Sequence, residues 1–136
     1  MKFIDTNVLV YIADKHDVDK REIAKKVVSD AMRSPEEYLL SAQALAEFSN
    51  VCLRKFDMDE ETVRDYLGFL RVLKVVSYSA ANVERALEIK TKYKLQFFDS
   101  LLLSTAEANG CDMFLSEDLN PGQIYCGMVA VNPFAK

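Results

Sequence analysis

The sequence predicts an α/β domain built on a parallel sheet. Short apolar runs alternate with longer stretches of helical periodicity, the order expected of repeated strand–helix–strand units. The 136 residues include four Gly and three Pro, with no low-complexity segment, no internal repeat and no stretch with the composition of an interdomain linker. A single domain over residues 1–136 is therefore expected. Half of the residues are hydrophobic, which is enough for a substantial core.

The first strand is expected at residues 2–5, ending in Asp5, with Thr6 and Asn7 available to cap a short helix over residues 8–13. Residues 19–33 have helical spacing in Ile23, Val27 and Ala31, and Ser34-Pro35 stops that helix. Tyr38-Leu39-Leu40-Ser41 reads as the second strand, and residues 42–55 as a helix with Leu45, Phe48 and Cys52 inward. Asp57 and Asp59 are candidate caps for a helix reaching residue 73, with Val63, Leu67 and Leu70 inward. Lys74-Val75-Val76 is a short third strand, after which Ser79 caps a helix to about residue 93. Phe97-Phe98-Asp99 leads into a helix to residue 109, with Asp99 a candidate cap and Gly110 the stop. Residues 113–115 and 128–131 complete a five-stranded sheet.

Composition removes several classes of function. No stretch approaches the roughly 18 uninterrupted apolar residues that span a bilayer. The N-terminus runs directly into a strand, without the charged and then apolar regions of a signal peptide, so the cytoplasm is the expected location and no membrane is expected as a partner. Cys52, Cys111 and Cys126 are three in number and widely spaced, which fits a reduced compartment and excludes a C-x-x-C site; small apolar filler is the favoured reading for each. With His16 the only histidine, Ser-His-Asp, Cys-His and multi-His zinc sites are set aside. Any catalysis is then carboxylate chemistry. The net charge of −4 is not the global signature of a nucleic-acid binder. Acids consumed by bound metal would mask a local attraction, however, and basic residues gather at Lys15, Lys20, Arg21, Lys25, Lys26 and Arg33, and at Lys90, Lys92 and Lys94. A solvated helix face accounts for these more simply, but Lys20, Arg21, Lys25 and Lys26 remain candidates for contacts to phosphate.

Four carboxylates sit on core-forming segments. Asp5 ends an apolar run, Glu47 lies on the stripe of Ala44, Phe48 and Val51, Asp99 shares a face with Leu102, Leu103 and Ala106, and Asp118 follows Met113-Phe114-Leu115. A buried ionised carboxylate needs a partner, and no Lys or Arg is evident near any of the four. A hard divalent cation, Mg²⁺ or Mn²⁺, is the simplest partner, and a carboxylate-lined site of that kind activates water and neutralises phosphate charge during phosphodiester hydrolysis. Asp5 and Asp118 follow the C-terminal ends of expected parallel strands, where open α/β sheets bind ligands. Each acid also has a plainer reading. Asp5 and Asp99 suit helix caps, Glu47 suits solvent if the helix phase is shifted, and Asp118 suits the polar turn Ser116-Glu117-Asp118-Leu119-Asn120, where Glu117 is an alternative ligand. Thr6 and Ser116 lie close enough in sequence to orient the proposed ligands.

Phe3-Ile4-Asp5-Thr6-Asn7-Val8-Leu9 resembles the opening motif of PIN-domain nucleases. Ala46-Glu47-Phe48, Phe98-Asp99-Ser100-Leu101-Leu102-Leu103 and Cys111-Asp112-Met113-Phe114-Leu115-Ser116-Glu117-Asp118-Leu119 resemble their later acidic motifs, and Val131-Asn132-Pro133-Phe134 is similar to the closing segment of VapC-type toxins. The resemblance covers essentially the whole chain in order. It implies a PIN-like three-layer domain, a five-stranded parallel sheet flanked by helices. It also implies a Mg²⁺- or Mn²⁺-dependent endoribonuclease with Asp5, Glu47, Asp99 and Asp118 as metal-binding acids. A homodimer and a VapB-like antitoxin covering the active-site groove are further implications. One departure is the bulky Ser100-Leu101-Leu102-Leu103-Ser104, where relatives often carry small residues.

Two other phosphate-handling classes fit less well. A haloacid-dehalogenase type needs a second Asp two residues after the first, and Asn7 stands there; a receiver domain needs an acidic pair at the first strand end and a Lys near the last. The alternative from a different class is a non-catalytic PIN-like protein-binding module.

Overall fold

In a computed structural model, which describes residues 1–135, the chain forms one six-stranded sheet with helices packed on it. Lys136, the last residue of the expected domain, lies outside the described residues. The strands are β1 (Lys2–Ile4), β2 (Tyr38–Ser41), β3 (Val75–Val76), β4 (Met113–Leu115), β5 (Ile124–Tyr125) and β6 (Met128–Val131), in the order β3-β2-β1-β4-β6-β5. The five expected strands are all present and pair in parallel. β5 is an addition that the sequence reading missed. It pairs antiparallel with β6 through the turn at Cys126 and Gly127, both of which have positive φ (53° and 80°). That is the backbone of a tight two-residue hairpin. Cys in the first turn position in place of the usual Asn or Asp hides the signal, and Asn120-Pro121-Gly122-Gln123 before it reads as loop.

The helices are α1 (Thr6–Tyr11), α2 (Val18–Arg33), α3 (Ala42–Arg54), α4 (Glu60–Leu70), α5 (Ala80–Tyr93) and α6 (Phe97–Ala108). The chain runs outward from β1 to β2 and β3, then crosses back to β4 on the other side of β1. Right-handed crossovers put α1–α4 on one face and α5 and α6 on the other, in agreement with the helix pairs that touch. Three layers result.

Local signals set the helix ends. Asp59 and Ser79 cap α4 and α5 as expected, Ser79 in a reciprocal capping box with Asn82. Pro35–Glu37 forms a single 3-10 turn after α2, and Gly110 after α6 has φ +74°. Two expectations shift. The most buried line of α2 is Ala24, Val28 and Ala31, with Ile23 and Val27 only partly covered. The α6 helix begins two residues before Asp99, with Gln96 at the N-cap position making no side-chain cap bond, so Asp99 stands within the first turn instead of capping it.

The core lies on both sides of β1 and β4. Phe3 and Phe114, paired across these strands, stack with centroids 5.0 Å apart, and Phe48 of α3 meets Tyr66 of α4 edge-on. Leu101, Leu102 and Leu103 of α6 are all buried, so the bulky third motif is packed and not strained outward.

Candidate active site

The reversal of strand order falls between β1 and β4. At that point their C-terminal ends lie side by side: the Asp5 N–H donates to the Leu115 carbonyl at 3.0 Å, while the Ser116 N–H, just past β4, donates to the Val131 carbonyl of β6 at 2.9 Å. A cleft of about 360 Å³ opens there, and Asp5, Glu47, Asp99 and Asp118 all line it. Asp5 comes from the end of β1, Glu47 from α3, Asp99 from the first turn of α6 and Asp118 from the loop after β4. Four segments far apart in sequence thus deliver one acid each to a single cleft.

Their burial differs from the sequence expectation. Asp5 is 4% exposed, Glu47 and Asp99 are half-buried, and Asp118 is exposed. The reason is geometric. Ser116 and Leu119 turn inward, which leaves Asp118 projecting over the cleft from the loop. Glu47 stands one position off the fully buried line of Ala44 and Phe48, at the edge of the α3 contact face.

Asp5 has two roles at once. Its Oδ1 accepts from the Thr6 N–H at 2.7 Å and caps α1, and its Oδ2 accepts from the Ser116 hydroxyl at 2.7 Å. The capping and the cleft-lining readings are therefore compatible. Burial pushes the Asp5 carboxyl up to about 7, with the negative charges of Asp99 and Asp118 adding to the rise and the Ser116 hydroxyl opposing it. Asp99 is also raised, by burial first and then by the charges of Asp118 and Glu47.

The two hydroxyls hold carboxylates. The Thr6 hydroxyl donates to Glu47 Oε1 at 2.7 Å, as Ser116 does to Asp5. Asn7, not among the expected site residues, is the hub of the site. Its Nδ2 donates to Asp118 Oδ2 at 2.8 Å and to Ser116 Oγ at 3.4 Å, and its Oδ1 accepts from the Glu117 N–H at 3.3 Å. The only hint in the sequence was its place two residues after Asp5.

Glu117 points elsewhere. Its carboxylate accepts from Lys20 Nζ at 2.8 Å and from the Tyr11 hydroxyl at 3.0 Å, outside the cleft. Lys20, a candidate for phosphate contact in the sequence, is committed to this ion pair and lies over the rings of Tyr11 and Phe134. The opposite correction applies to Lys55. No lysine was evident beside the acids, yet Lys55, at the end of α3, lines the cleft together with Asp14. Two helical turns separate it from Glu47, so it shares that face of α3 without being a sequence neighbour.

Among the cleft-lining residues, five carboxylates (Asp5, Asp14, Glu47, Asp99 and Asp118) face one lysine, Lys55. All the potential ligands are oxygens, with no His or Cys, which is the donor set of a hard cation. Among the described residues no three such side chains are drawn into a ready-made metal cage. The ring is open to water, which suits an ion that keeps much of its hydration shell. A carboxyl held near 7 by burial and neighbouring charge is the group that such an ion would bring back to its ionised form.

The family model for the PIN domain matches residues 2–125. The chain belongs to the PIN domain family. Solved structures agree in fold. A toxin–antitoxin complex from Klebsiella pneumoniae superposes with a TM-score of 0.70 at 19% identity, covering 98% of each chain. VapC20 of Mycobacterium tuberculosis, described as a Sarcin-Ricin loop cleaving toxin, gives 0.69 at 17% identity over 87% of this chain and 92% of its own. VapBC2 from Rickettsia felis, bound to a DNA fragment from its promoter, gives 0.64 at 18% identity over 95% and 96%. No curated protein is similar enough in sequence to match. Relative to the expected PIN-like sheet, this PIN domain carries one extra strand, the antiparallel β5. None of its described helices is long and apolar enough to cross a membrane.

Proposed function

We propose that this PIN domain is a divalent-metal-dependent endoribonuclease and the toxin of a VapBC-type pair. The observation that carries the reading is the convergence of Asp5, Glu47, Asp99 and Asp118 on one cleft at the switch point of a PIN fold. Structural relatives that are toxins or toxin–antitoxin complexes support the biological half of it.

Bound at these four acids, Mg²⁺ or Mn²⁺ would supply charge neutralisation at the phosphate and a lowered pKa for the attacking water. The chain's own residues supply orientation. Ser116 fixes the Asp5 carboxylate, Thr6 fixes Glu47, and Asn7 fixes Asp118 while tying the loop after β4 to α1. Preset carboxylates need no reorganisation as charge develops on the phosphate. In the absence of a cation, Asp5 retains its proton to about pH 7, which relieves repulsion within the ring. The same reading includes a homodimer in the cytoplasm and a VapB-like antitoxin over the cleft. A non-catalytic binding module would have no use for four carboxylates around one opening, three of them held in place by hydrogen bonds.

The test is cleavage of a mixed RNA pool by the purified chain with Mg²⁺ or Mn²⁺, with EDTA and Asp99→Asn as controls. Metal-dependent cutting that disappears in both controls is expected. Absence of cutting together with absence of ion-induced thermal stabilisation would favour the binding module.

A further inference from the structure

The exposed face of α3 continues beyond the carboxylate cleft in both directions. At the N-terminal end of the helix, Glu47 is shared with a second depression of about 490 Å³, lined also by Ala42, Gln43, Ala46, Tyr78 and Phe98. Tyr78 and Phe98 are 48% and 59% exposed, large apolar rings held at the surface in the lining of this depression. Its lining has no charged side chain other than Glu47. Gln43, only 9% exposed, forms part of its floor: Nε2 donates to the Phe98 carbonyl at 2.9 Å, while Oε1 is buried without a hydrogen bond. At the C-terminal end of α3, Val51 and Lys55 are shared with a third, shallow depression completed by Asn50 and Arg54. That depression contains two cations and no acid, and neither Arg54 nor Lys55 forms an ion pair among the described residues.

These residues repeat at helical spacing. Positions 43, 46 and 47, 50 and 51, and 54 and 55 fall on one side of α3, and the rise from Gln43 to Lys55 is about 18 Å at 1.5 Å per residue. An aromatic pocket, a ring of acids and a cationic shelf therefore follow one another along a single helix.

We propose that this face of α3 is the track for a single-stranded RNA, with an unstacked base against Tyr78 and Phe98 and a phosphate farther along the same strand on Lys55 and Arg54. The proposal rests on the nuclease reading and adds which groups hold the strand on each side of the acids. Single-stranded RNA is held by stacking on aromatic faces and by cations along its backbone, and the two kinds of group stand here at opposite ends of the acids. The buried Gln43 Oε1 is an acceptor that a base N–H entering the aromatic pocket would satisfy. The track also explains how an acidic protein can bind an anion: cations are needed only along one helix face. It assigns the substrate contact to Lys55 and Arg54 in place of the basic face of α2, where Lys20 is held by Glu117 and Lys26 lies near Asp30.

The experiment is fluorescence anisotropy of a mixed-sequence, short single-stranded oligoribonucleotide pool in Mg²⁺ across a salt series. The Asp99→Asn chain serves as background so that the probe survives. Lys55→Ala is expected to weaken binding and to lower the slope of log affinity against log salt by about 0.7, the value for one phosphate contact on a single strand. Phe98→Ala is expected to weaken binding on the order of tenfold with the salt slope unchanged, because stacking releases no counterion. A Lys25→Ala, Lys26→Ala double variant is expected to bind as the background does. If the background binds RNA and both Lys55→Ala and Phe98→Ala leave affinity and slope unaltered, the track is wrong and the nuclease reading stands. If neither the background nor the unsubstituted chain binds RNA, the nuclease reading fails and the track with it. If Phe98→Ala converts a dimer to a monomer in sedimentation without affecting RNA affinity, the aromatic pocket belongs to a second copy, and the base-binding half of the proposal is overturned.

Discussion

Replacing Asp5 by Asn should stabilise the metal-free protein at neutral and alkaline pH while abolishing its response to divalent ions. Asp5 is buried, and its carboxyl titrates near 7 in the folded chain against 3.8 in the unfolded one. Between those values the folded protein holds a proton that the unfolded chain has released, so wild-type stability falls as pH rises from about 4 to about 7. At about 1.4 kcal/mol per unit, the full penalty above pH 7 is roughly 4 kcal/mol as a ceiling. Asn is neutral in both states and escapes it. Against this, the Ser116 hydroxyl that donates to Asp5 would meet an amide that retains one acceptor, already used by the Thr6 N–H. Ser116 Oγ already accepts from Asn7 and Asp118, so it is poorly placed to accept again. Disturbing that contact costs about 1–3 kcal/mol. The net gain is then about 1–3 kcal/mol at pH 8, or an increase in Tm on the order of 3–9 °C for a domain of this size. The assay is thermal unfolding in EDTA from pH 4 to pH 8, repeated with Mg²⁺. The advantage of Asp5→Asn should shrink steadily below pH 7, reverse sign before pH 4 and leave the variant about 1–3 kcal/mol less stable near pH 4, where only the disturbed Ser116 contact remains. Added ion should stabilise the wild type, by about 2.7 kcal/mol at a hundredfold excess over Kd, and leave the variant unmoved. An Asp5→Asn protein less stable than wild type at pH 8 in EDTA, or an advantage independent of pH, would refute the argument from burial and repulsion.

Three further outcomes are expected. Ser116→Ala removes a hydroxyl that holds the Asp5 carboxyl down, so the pH midpoint of ion-induced thermal stabilisation should move upward; an unmoved midpoint would exclude Ser116 from the tuning of Asp5. Glu117→Gln loses its charge pairing with Lys20 and should lower stability by about 1 kcal/mol in urea unfolding while impairing cleavage far less than Asp118→Asn; equal losses of activity would return Glu117 to the ligand set. Phe48→Ala opens a cavity between α3 and α4 beneath Glu47 and should cost about 3–5 kcal/mol, and a loss below 1 kcal/mol would mean that the pocket collapses around the smaller side chain.

The sequence by itself determined the order of the helices and of the five parallel strands, and it named four of the five carboxylates that line the cleft. These depend on short-range patterns: apolar runs of strand length, helical periodicity, and caps such as Asp59 and Ser79 that act within three residues. The ring was visible because each acid is fixed to its own element, at a strand end or on a helix face, and the topology rules place those positions together. What the pattern could not give is anything that depends on the relative orientation of distant segments. Asn7 reaches Asp118 across 111 residues, and Lys20 reaches Glu117 across 97. Only packing decides that Glu117 turns toward α2 and Asp118 toward the cleft, since adjacent residues in a tight loop project in different directions. Burial followed the same rule. Asp5 is enclosed because β1 is central and its end abuts β4, while Asp118 remains exposed because its loop runs past the sheet edge. The strand β5 was hidden for a related reason. Ile124-Tyr125 follows Asn120-Pro121-Gly122-Gln123, which reads as loop, and it becomes a strand only because β6 offers an unpaired edge beside it.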